Sequence, residues 1–249
     1  MAPSGARSSA SGSPPTTSSC GASRSGKSTL ARCIMGIVAP TAGTVALDGR
    51  LLAGKARKRG AAERRRVQIV FQNPDSSLNP RQTVGEIVGR PAQLFFGLSR
   101  VETRAAAAES LELVRLDQSL AGRRTSDLSG GEKQRVAIAR GIAAKPGLLV
   151  CDEVTSALDV SVQAAIIELL DDLRERLAMS LIFVSHDLAV VRALADQVLV
   201  LEHGDVQEQG LVDEVFARPG AGYTQELLRA HRDWSLEGFQ PPASAEQPL

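Results

Sequence analysis

The stretch "GASRSGKS", Gly21 to Ser28, decides the fold of this 249-residue chain, because it fits the phosphate-binding loop pattern G-x-x-x-x-G-K-[ST]. In such a loop, between a buried strand and a helix, backbone N–H groups converge on phosphate oxygens beside the positive end of the helix. The pattern assigns Lys27 to the β- and γ-phosphates and Ser28 to Mg²⁺. An ordinary loop rich in Gly and Ser is the alternative. The candidate phosphate-binding residues are Gly21, Ser23, Ser25, Gly26, Lys27, Ser28 and Thr29.

The segments after this loop alternate between helix and strand patterns. Apolar spacing predicts helices at 27–38 and 162–177, and further helices are expected near 84–88, 101–116 and 132–144. Strands are predicted at 44–47, 67–71, 147–153 and 180–186, followed by a hairpin that turns at 203–205. This alternation indicates a layered α/β domain with a parallel sheet. The stretch from about 73 to 145 has a helical character and is interpreted as an inserted subdomain.

Composition excludes several classes of protein. The formal net charge of +1 gives no overall attraction to nucleic acid or anionic lipid. Cys20, Cys33 and Cys151 have no paired spacing, which favours a reducing compartment over a disulfide framework or a zinc site. No apolar run reaches the roughly 18–20 residues of a membrane-spanning helix. The first residues also lack the apolar centre of a signal peptide. We therefore expect a cytosolic protein.

Two acidic residues follow the apolar stretch "LLVC" directly. As the end of a buried strand, this stretch places Asp152 and Glu153 at the carboxyl edge of the sheet, where ligands bind in open α/β folds. Asp152 suits the surroundings of Mg²⁺, and Glu153 suits a base that polarises an attacking water. A pair of solvated acids at a strand end is the alternative for this segment alone.

The stretch "LSGGEKQRVAIAR" (128–140) is the most diagnostic of the chain. Ser129-Gly130-Gly131 stands just before a predicted helix and makes a second anion site at a helix start. Ser129 with Glu132 three residues later fits a simple helix cap equally well. The length of the match favours function, because this stretch resembles the signature motif of the nucleotide-binding domains of ABC transporters.

The resemblance extends over about residues 21–230 and implies roles for further residues. Gln72 matches the glutamine that senses Mg²⁺ and water and links to the membrane subunit. Asp159, in "SALD", matches a segment that crosses a dimer interface, and His186, in "FVSHD", matches the histidine that contacts the γ-phosphate. The signature segment of one subunit closes over ATP held by the loop of another, which implies a head-to-tail dimer. The catalytic candidates are Glu153, His186 and Gln72; the further nucleotide-binding candidates are Ser129, Gly130, Gly131 and Asp159; the metal candidates are Ser28, Gln72 and Asp152.

The implied fold class is α/β, a P-loop NTPase of the RecA-like type, with a parallel sheet core and an inserted helical signature subdomain. The stretches "VFQNPDSSLNPRQTVGEI" and "CDEVTSALDVSVQA" look like those of ATPase subunits of oligopeptide, dipeptide, nickel or glutathione importers. The expected function is ATP hydrolysis that powers import of peptides or a similar small solute. Its cofactors are ATP and Mg²⁺. The expected location is the cytoplasmic face of the cell membrane.

The expected partners are transmembrane permease subunits, a second ATPase subunit and, indirectly, a solute-binding protein. The sequence "AGYT" at 221–224 departs from the usual "HPYT" and leaves the solute open. Two other functions remain as alternatives: a catalytically impaired remnant, and a non-transport ATPase that acts on nucleic acid. The basic cluster at 55–66 has no stacking aromatics among its residues, so we interpret it as a solvated loop rather than a nucleic-acid site.

The residues before the loop conflict with the resemblance. Residues 1–20 contain no Val, Ile, Leu or Phe, which predicts a disordered tail, with the ATPase domain at 21–230 and a second tail at 231–249. The family carries several strands and an adenine-stacking aromatic before its loop, and three strands take about 25–30 residues. In their place stands "PPTTSSC", in which 16–20 would make a poor strand. We therefore expect a truncated or mis-started chain that binds ATP at least about tenfold more weakly than a complete one. A functional variant that tolerates the loss is the alternative.

Overall fold

A computed structural model of the chain describes residues 15–21, 25–156 and 158–232. In chain order the strands are β1 (Thr16–Cys20), β2 (Val45–Leu47), β3 (Arg50–Leu52), β4 (Val67–Val70), β5 (Leu148–Asp152), β6 (Ser180–Val184), β7 (Gln197–Glu202) and β8 (Asp205–Leu211). The helices are α1 (Lys27–Met35), α2 (Ala61–Arg66), α3 (Pro74–Ser77), α4 (Val84–Phe96), α5 (Arg100–Leu113), α6 (Gly130–Ile142), α7 (Val160–Arg176), α8 (Leu188–Leu194), α9 (Val212–Ala217) and α10 (Gly222–Arg232).

A six-stranded sheet organises these elements in the order β4-β5-β6-β1-β7-β8. The first five strands in that order run parallel, and β8 returns antiparallel to β7. The strands β2 and β3 form a separate two-stranded hairpin. Because the carboxyl ends of parallel strands share one edge of the sheet, the segments after β1, β4, β5 and β6 meet there. The predicted α/β class with a parallel sheet is confirmed.

The strand that precedes the phosphate loop is present, which corrects the predicted disordered tail. Residues 16–20 form β1, which lies between β6 and β7 and pairs with both of them. Thr16 and Ser18 are fully buried there, and the Ser18 hydroxyl donates to the Phe183 carbonyl oxygen at 2.8 Å. A backbone that forms ladders on both sides has its polar groups satisfied, whatever side chains it carries. The expectation that the sheet lacks this central strand is therefore wrong. Residues 1–14 lie outside the described part.

The segment between β4 and β5 contains the helices α3 to α6 and no described strand. Close approaches of backbone hold this block together. A Cβ added at Gly89 of α4 would lie 2.7 Å from the Thr103 side chain of α5. A Cβ added at Gly141 of α6 would lie 3.1 Å from the Leu149 side chain of β5. The helix α6 thus packs directly on the sheet, and the helical block shares one apolar core with it.

The basic segment 55–66 is largely solvated, as the sequence predicts, with Lys55, Arg57, Lys58 and Arg64 exposed, but it is not a plain loop. It forms a 3₁₀ turn at Ala56–Lys58 and the helix α2, and Arg59 between them is buried. The Arg59 guanidinium donates to the carbonyl oxygens of Ala53 and Ile34, each at 2.8 Å. The Arg65 guanidinium lies 5.3 Å from the centre of the Phe96 ring. These two arginines therefore connect the segment to its neighbours.

No helix in the described ranges combines the length and apolarity needed to cross a membrane.

Candidate functional site

The phosphate loop leaves the sheet at the carboxyl end of β1, at a position that only glycine can occupy. Gly21 has a φ of 144°, and a Cβ on it would lie 2.0 Å from the carbonyl oxygen of Leu201 on β7. Further along the loop, the Gly204 N–H donates to the Ser25 carbonyl oxygen at 3.1 Å. The loop is thus braced by β7 and by the turn between β7 and β8. Ser23, a predicted phosphate contact, lies outside the described residues.

The helix α1 begins without a side-chain cap. Its cap residue is Gly26, in the left-handed conformation, and no acidic residue occupies its first turn. The helix α6, in contrast, begins with the reciprocal bonds of Ser129 and Glu132. The first backbone N–H groups of a helix need acceptors, and an anion is a suitable one. The amides of Lys27, Ser28 and Thr29 therefore fit phosphate oxygens.

The Lys27 ammonium is held beside the loop. Its Nζ donates to the Gly21 carbonyl oxygen at 2.8 Å and to the Ser25 hydroxyl at 3.0 Å, and the residue is 4% exposed. Burial lowers the pKa of Lys27, and the charge of nearby Glu153 opposes that effect. A largely buried cation beside the loop is a strong point of attraction for a phosphate.

Ser28 and Asp152 form the candidate metal site. The Ser28 hydroxyl at the start of α1 donates to Asp152 Oδ1 at 2.8 Å. The carboxylate stands at the end of β5 and is 4% exposed. A hydroxyl and a carboxylate are hard oxygen donors, which Mg²⁺ prefers. The chemistry of this donor pair fits the predicted ion.

Glu153 lies among the remaining predicted catalytic side chains. The Gln72 amide donates to Glu153 Oε2 at 3.0 Å and to the Ser156 hydroxyl at 3.1 Å. His186 Nδ1 lies 3.8 Å from Glu153 Oε1. Glu153 has a φ of 50°, an uncommon conformation for a residue other than glycine, and its N–H donates to the Val184 carbonyl oxygen at 3.0 Å. Backbone strain of this kind occurs often at functional sites.

The signature segment at 129–131 and Asp159 lie next to each other. Neither takes part in the phosphate-loop contacts described above. Ser129 is exposed, and its hydroxyl contacts Glu132 Oε2 at 2.8 Å. Asp159 caps α7 by accepting from the Val162 N–H at 3.0 Å, and these bonds lower its pKa. A Cβ on Gly131 would lie 2.9 Å from the Val162 side chain, so the starts of α6 and α7 are in contact. No described hydrogen bond joins either segment to the loop.

A cleft of about 590 Å³ opens beside the loop. Its lining includes Ser28 and Asp152 from the candidate metal site, Gln72, and the basic side chains of Arg32 and Arg140. Sequence reasoning did not single out Arg32, Arg140 or the brace from Gly204. Basic residues on amphipathic helices give no signal of which cleft they will line.

A family model described as "ABC transporter" matches residues 16–156. That range begins with β1 and includes the loop, the signature segment and the acids after β5. This chain belongs to the ABC transporter family.

Curated relatives agree with this assignment. The chain is 46% identical over 230 residues to "Probable peptide ABC transporter ATP-binding protein y4tS" of Sinorhizobium fredii, covering 89% of this chain and 65% of that protein. It is 43% identical over 211 residues to "Oligopeptide transport ATP-binding protein OppF" of Escherichia coli, covering 84% of this chain and 63% of that protein. The chain thus spans less than two thirds of the length of these relatives.

Two solved structures share the fold. The protein cbiO1 of Clostridium perfringens, part of the ABC transporter complex cbiONQ, superimposes with a TM-score of 0.74 at 30% identity, covering 89% of this chain and 84% of that one. The ATP-binding cassette MJ0796, described as a dimer in a post-hydrolysis state bound to ADP and Pi, gives a TM-score of 0.69 at 31% identity, covering 80% and 85%.

Proposed function

We propose that this chain is the ATP-hydrolysing subunit of an ABC importer of peptides or a similar small solute. The observation that carries the proposal is the meeting of Lys27, Ser28, Asp152, Gln72 and Glu153 at the carboxyl edge of one sheet. A phosphate cradle, a pair of metal ligands and a base are the parts that phosphoryl transfer to water requires. The names of the relatives, a peptide transporter and an oligopeptide transporter, supply the solute class.

The residues have separate tasks in hydrolysis. The amides at the start of α1 and the Lys27 ammonium hold the phosphates. Glu153 accepts a proton from the water that attacks the γ-phosphorus, while the bond from that phosphorus to the ADP oxygen breaks. Gln72, which contacts Glu153 at 3.0 Å, positions that carboxylate and the water. His186, whose Nδ1 lies 3.8 Å from Glu153 Oε1, donates to the γ-phosphate in this proposal.

Ser28 and Asp152 would hold Mg²⁺, with Gln72 beside them. When bound, the ion neutralises charge that develops on the phosphate oxygens. The Ser28 hydroxyl donates to Asp152 in this structure, so the carboxylate keeps the hydroxyl oriented toward the place of the ion.

The partners follow from the exposed elements. The free signature segment at 129–131 and the exposed cap of α7 support a head-to-tail dimer in which each subunit completes the ATP site of the other. Transmembrane permease subunits and, through them, a solute-binding protein complete the transporter at the cytoplasmic face of the membrane. Nucleic acid is not a partner in this proposal.

The alternative of an impaired remnant rests on two expected losses, the strand before the loop and an adenine-stacking aromatic. Because β1 is present and pairs on both sides, the first of these grounds is removed. The relatives named as ATP-binding proteins of peptide transporters support an active ATPase.

Two measurements test the proposal. The purified chain should release phosphate from Mg-ATP, and EDTA should stop the release. The chain should also co-purify with permease subunits co-expressed from the same transporter. A chain that binds no ATP, or one whose hydrolysis is stimulated by nucleic acid, would contradict the proposal.

A further inference from the structure

Two basic side chains of α6 hold the short helix α3 near both of its ends. Lys133 Nζ donates to Asp75 Oδ1 at 2.7 Å, and Arg140 Nη1 donates to the Ser77 carbonyl oxygen at 2.6 Å. Lys133 and Arg140 are seven residues apart, which places them two turns apart on one face of α6. A single helical turn such as α3 is not stable alone, so neighbouring elements decide where it lies.

The position of α3 decides the position of Gln72. The Asn73 side chain caps α3 by accepting from the N–H groups of Asp75 at 2.8 Å and Ser76 at 3.4 Å. Gln72 directly precedes this cap, and its amide contacts Glu153 Oε2 at 3.0 Å. A shift of α3 relative to α6 therefore moves the Gln72 amide relative to the Glu153 carboxylate.

The same helix α6 carries the signature segment at its start. Ser129 caps α6, and Lys133 lies one turn further along the helix. The contact between Lys133 and Asp75 thus links the segment that carries Gln72 to the end of α6 that begins at Gly130. Lys133 itself has no described hydrogen bond to Gln72 or Glu153.

We propose that Lys133 is a positioning residue: its ion pair with Asp75 holds α3 and thereby keeps the Gln72 amide at hydrogen-bond distance from Glu153. The same ion pair links the position of Gln72 to α6, the helix that begins at the signature segment. The inference rests on the proposed function, in which Glu153 is the base. The Lys133 side chain is 19% exposed and that of Asp75 is 68% exposed. An ion pair this open to solvent adds little to global stability. Its effect is therefore expected on the placement of α3 rather than on folding.

The first test needs no nucleotide. The variant Lys133→Glu sets two carboxylates against each other, and hydrogen exchange in a peptide spanning 71–78 should become about tenfold faster. The charge swap Lys133→Glu with Asp75→Lys should restore exchange to within about twofold of the unmodified chain. Arg104→Glu is the matched control, because Arg104 lies in the same helical block and makes no ion pair with another described residue. It should leave exchange in 71–78 unchanged.

The second test separates positioning from general damage. Lys133→Glu should lower kcat about tenfold while KM changes less than about twofold, because misplacement acts on the transition state. The charge swap should restore kcat. In a Gln72→Ala background, adding Lys133→Glu should change kcat less than about twofold, since a residue that acts through Gln72 has nothing left to position.

Several results would overturn the inference. Hydrogen exchange in 71–78 could be unchanged in Lys133→Glu, or the charge swap could fail to restore exchange or kcat. Lys133→Glu could also lower kcat equally in the unmodified chain and in the Gln72→Ala variant. If charge reversal unfolds the chain, the neutral variants Lys133→Gln and Asp75→Asn replace it in both experiments. Each single variant and the double variant should then show the same increase in exchange and the same decrease in kcat. A chain with no ATPase activity at all contradicts the proposed function instead, and the exchange experiment still decides the role of Lys133.

Discussion

The backbone N–H of Thr16 donates to Asp196 Oδ2 at 2.7 Å, and this bond holds the beginning of the central strand β1. The Arg174 guanidinium of α7 contacts the same carboxylate oxygen and the Thr16 hydroxyl, each at 3.0 Å. The Asp196 N–H returns a bond to the Thr16 carbonyl oxygen at 3.0 Å. A strand made of Thr, Ser and Cys is thus held in register by a polar network at one end, and it positions the phosphate loop at the other.

Arg174→Ala should therefore destabilise the fold. The Arg174 side chain is 11% exposed, and its removal leaves the buried Thr16 hydroxyl without this donor. We expect the free energy of unfolding to fall by about 1–3 kcal/mol. The matched control is Arg176→Ala, whose side chain is 56% exposed on the same helix, with an expected change below about 0.5 kcal/mol. Urea unfolding measures both, and equal effects would show that the network does not stabilise β1.

Gly21→Ala should be far more damaging than the same change at Gly43. Both glycines have positive φ, at 144° and 79°, but only at Gly21 would the new Cβ meet backbone, 2.0 Å from the Leu201 oxygen. At Gly43 nothing lies within 4 Å, so only the conformational cost of about 1–2 kcal/mol applies. Gly21→Ala adds about 1–3 kcal/mol of overpacking and displaces the loop. Gly21→Ala should lower both the thermal unfolding temperature and the affinity for ATP. Intact ATP binding by this variant would contradict this account of the loop.

Glu153→Gln should strongly reduce turnover but leave ATP binding, because it removes the proposed base and keeps the phosphate cradle. We expect kcat to fall about 10²- to 10⁴-fold, while the Kd for ATP changes little. Lys27→Ala is the contrasting variant. It removes the ammonium that lies beside the loop, so binding itself should weaken. Steady-state hydrolysis and equilibrium binding of a fluorescent ATP analogue distinguish the two. Unimpaired hydrolysis by Glu153→Gln would assign the base elsewhere.

Nucleotide should drive dimerisation. Ser129 is exposed and makes no described hydrogen bond to the loop of its own subunit, so in the proposed dimer the signature segment of a second subunit closes over bound ATP. Light scattering of the Glu153→Gln variant should show a doubling of mass with Mg-ATP and a monomer without it. Substitution of Ser129 by Arg, a bulky residue, should prevent the doubling. A mass that stays at 26.3 kDa at saturating Mg-ATP would exclude this arrangement.

Stability should fall at alkaline pH through Cys20. Burial raises the pKa of this thiol from an ordinary 9.0 to about 12, so the folded chain holds the neutral thiol and the unfolded chain ionises first. The stabilisation that the buried neutral thiol contributes is fully present below about pH 9. As pH rises from there to about 12, the free energy of unfolding falls by about 1.4 kcal/mol per pH unit. The difference between the urea midpoints at pH 8 and pH 10 should become smaller in Cys20→Ala, but not in the half-buried control Cys33→Ala. It should not vanish, because burial also raises the pKa of the Cys151 thiol. An identical pH dependence in both variants would rule out the thiol as the cause.

Several parts of the site could be predicted from short sequence patterns, because residues that are neighbours in the sequence define them. The strand ending "LLVCDE" placed Asp152 and Glu153 at the sheet edge, and the structure puts them beside Ser28 and Gln72. The hairpin at 203–205 was predicted from its turn residues, and the positive φ of His203 and Gly204 agrees. Its use as a brace for Ser25 was not predicted, because no local pattern shows which loop a turn will touch.

Residue types at fixed spacing were enough to predict the class of this protein and the candidate residues of its phosphate loop, its acids and its signature segment. The place of β1 could not be predicted in this way, because it depends on contacts between distant parts of the chain. Composition predicts disorder at 16–20, since the segment has almost no apolar side chains to bury. In the folded sheet its backbone pairs with β6 and β7, and Asp196 and Arg174 satisfy its polar groups. Those partners lie more than 150 residues away in the chain, as the separations of 180 and 158 residues show, so no local pattern could reveal them.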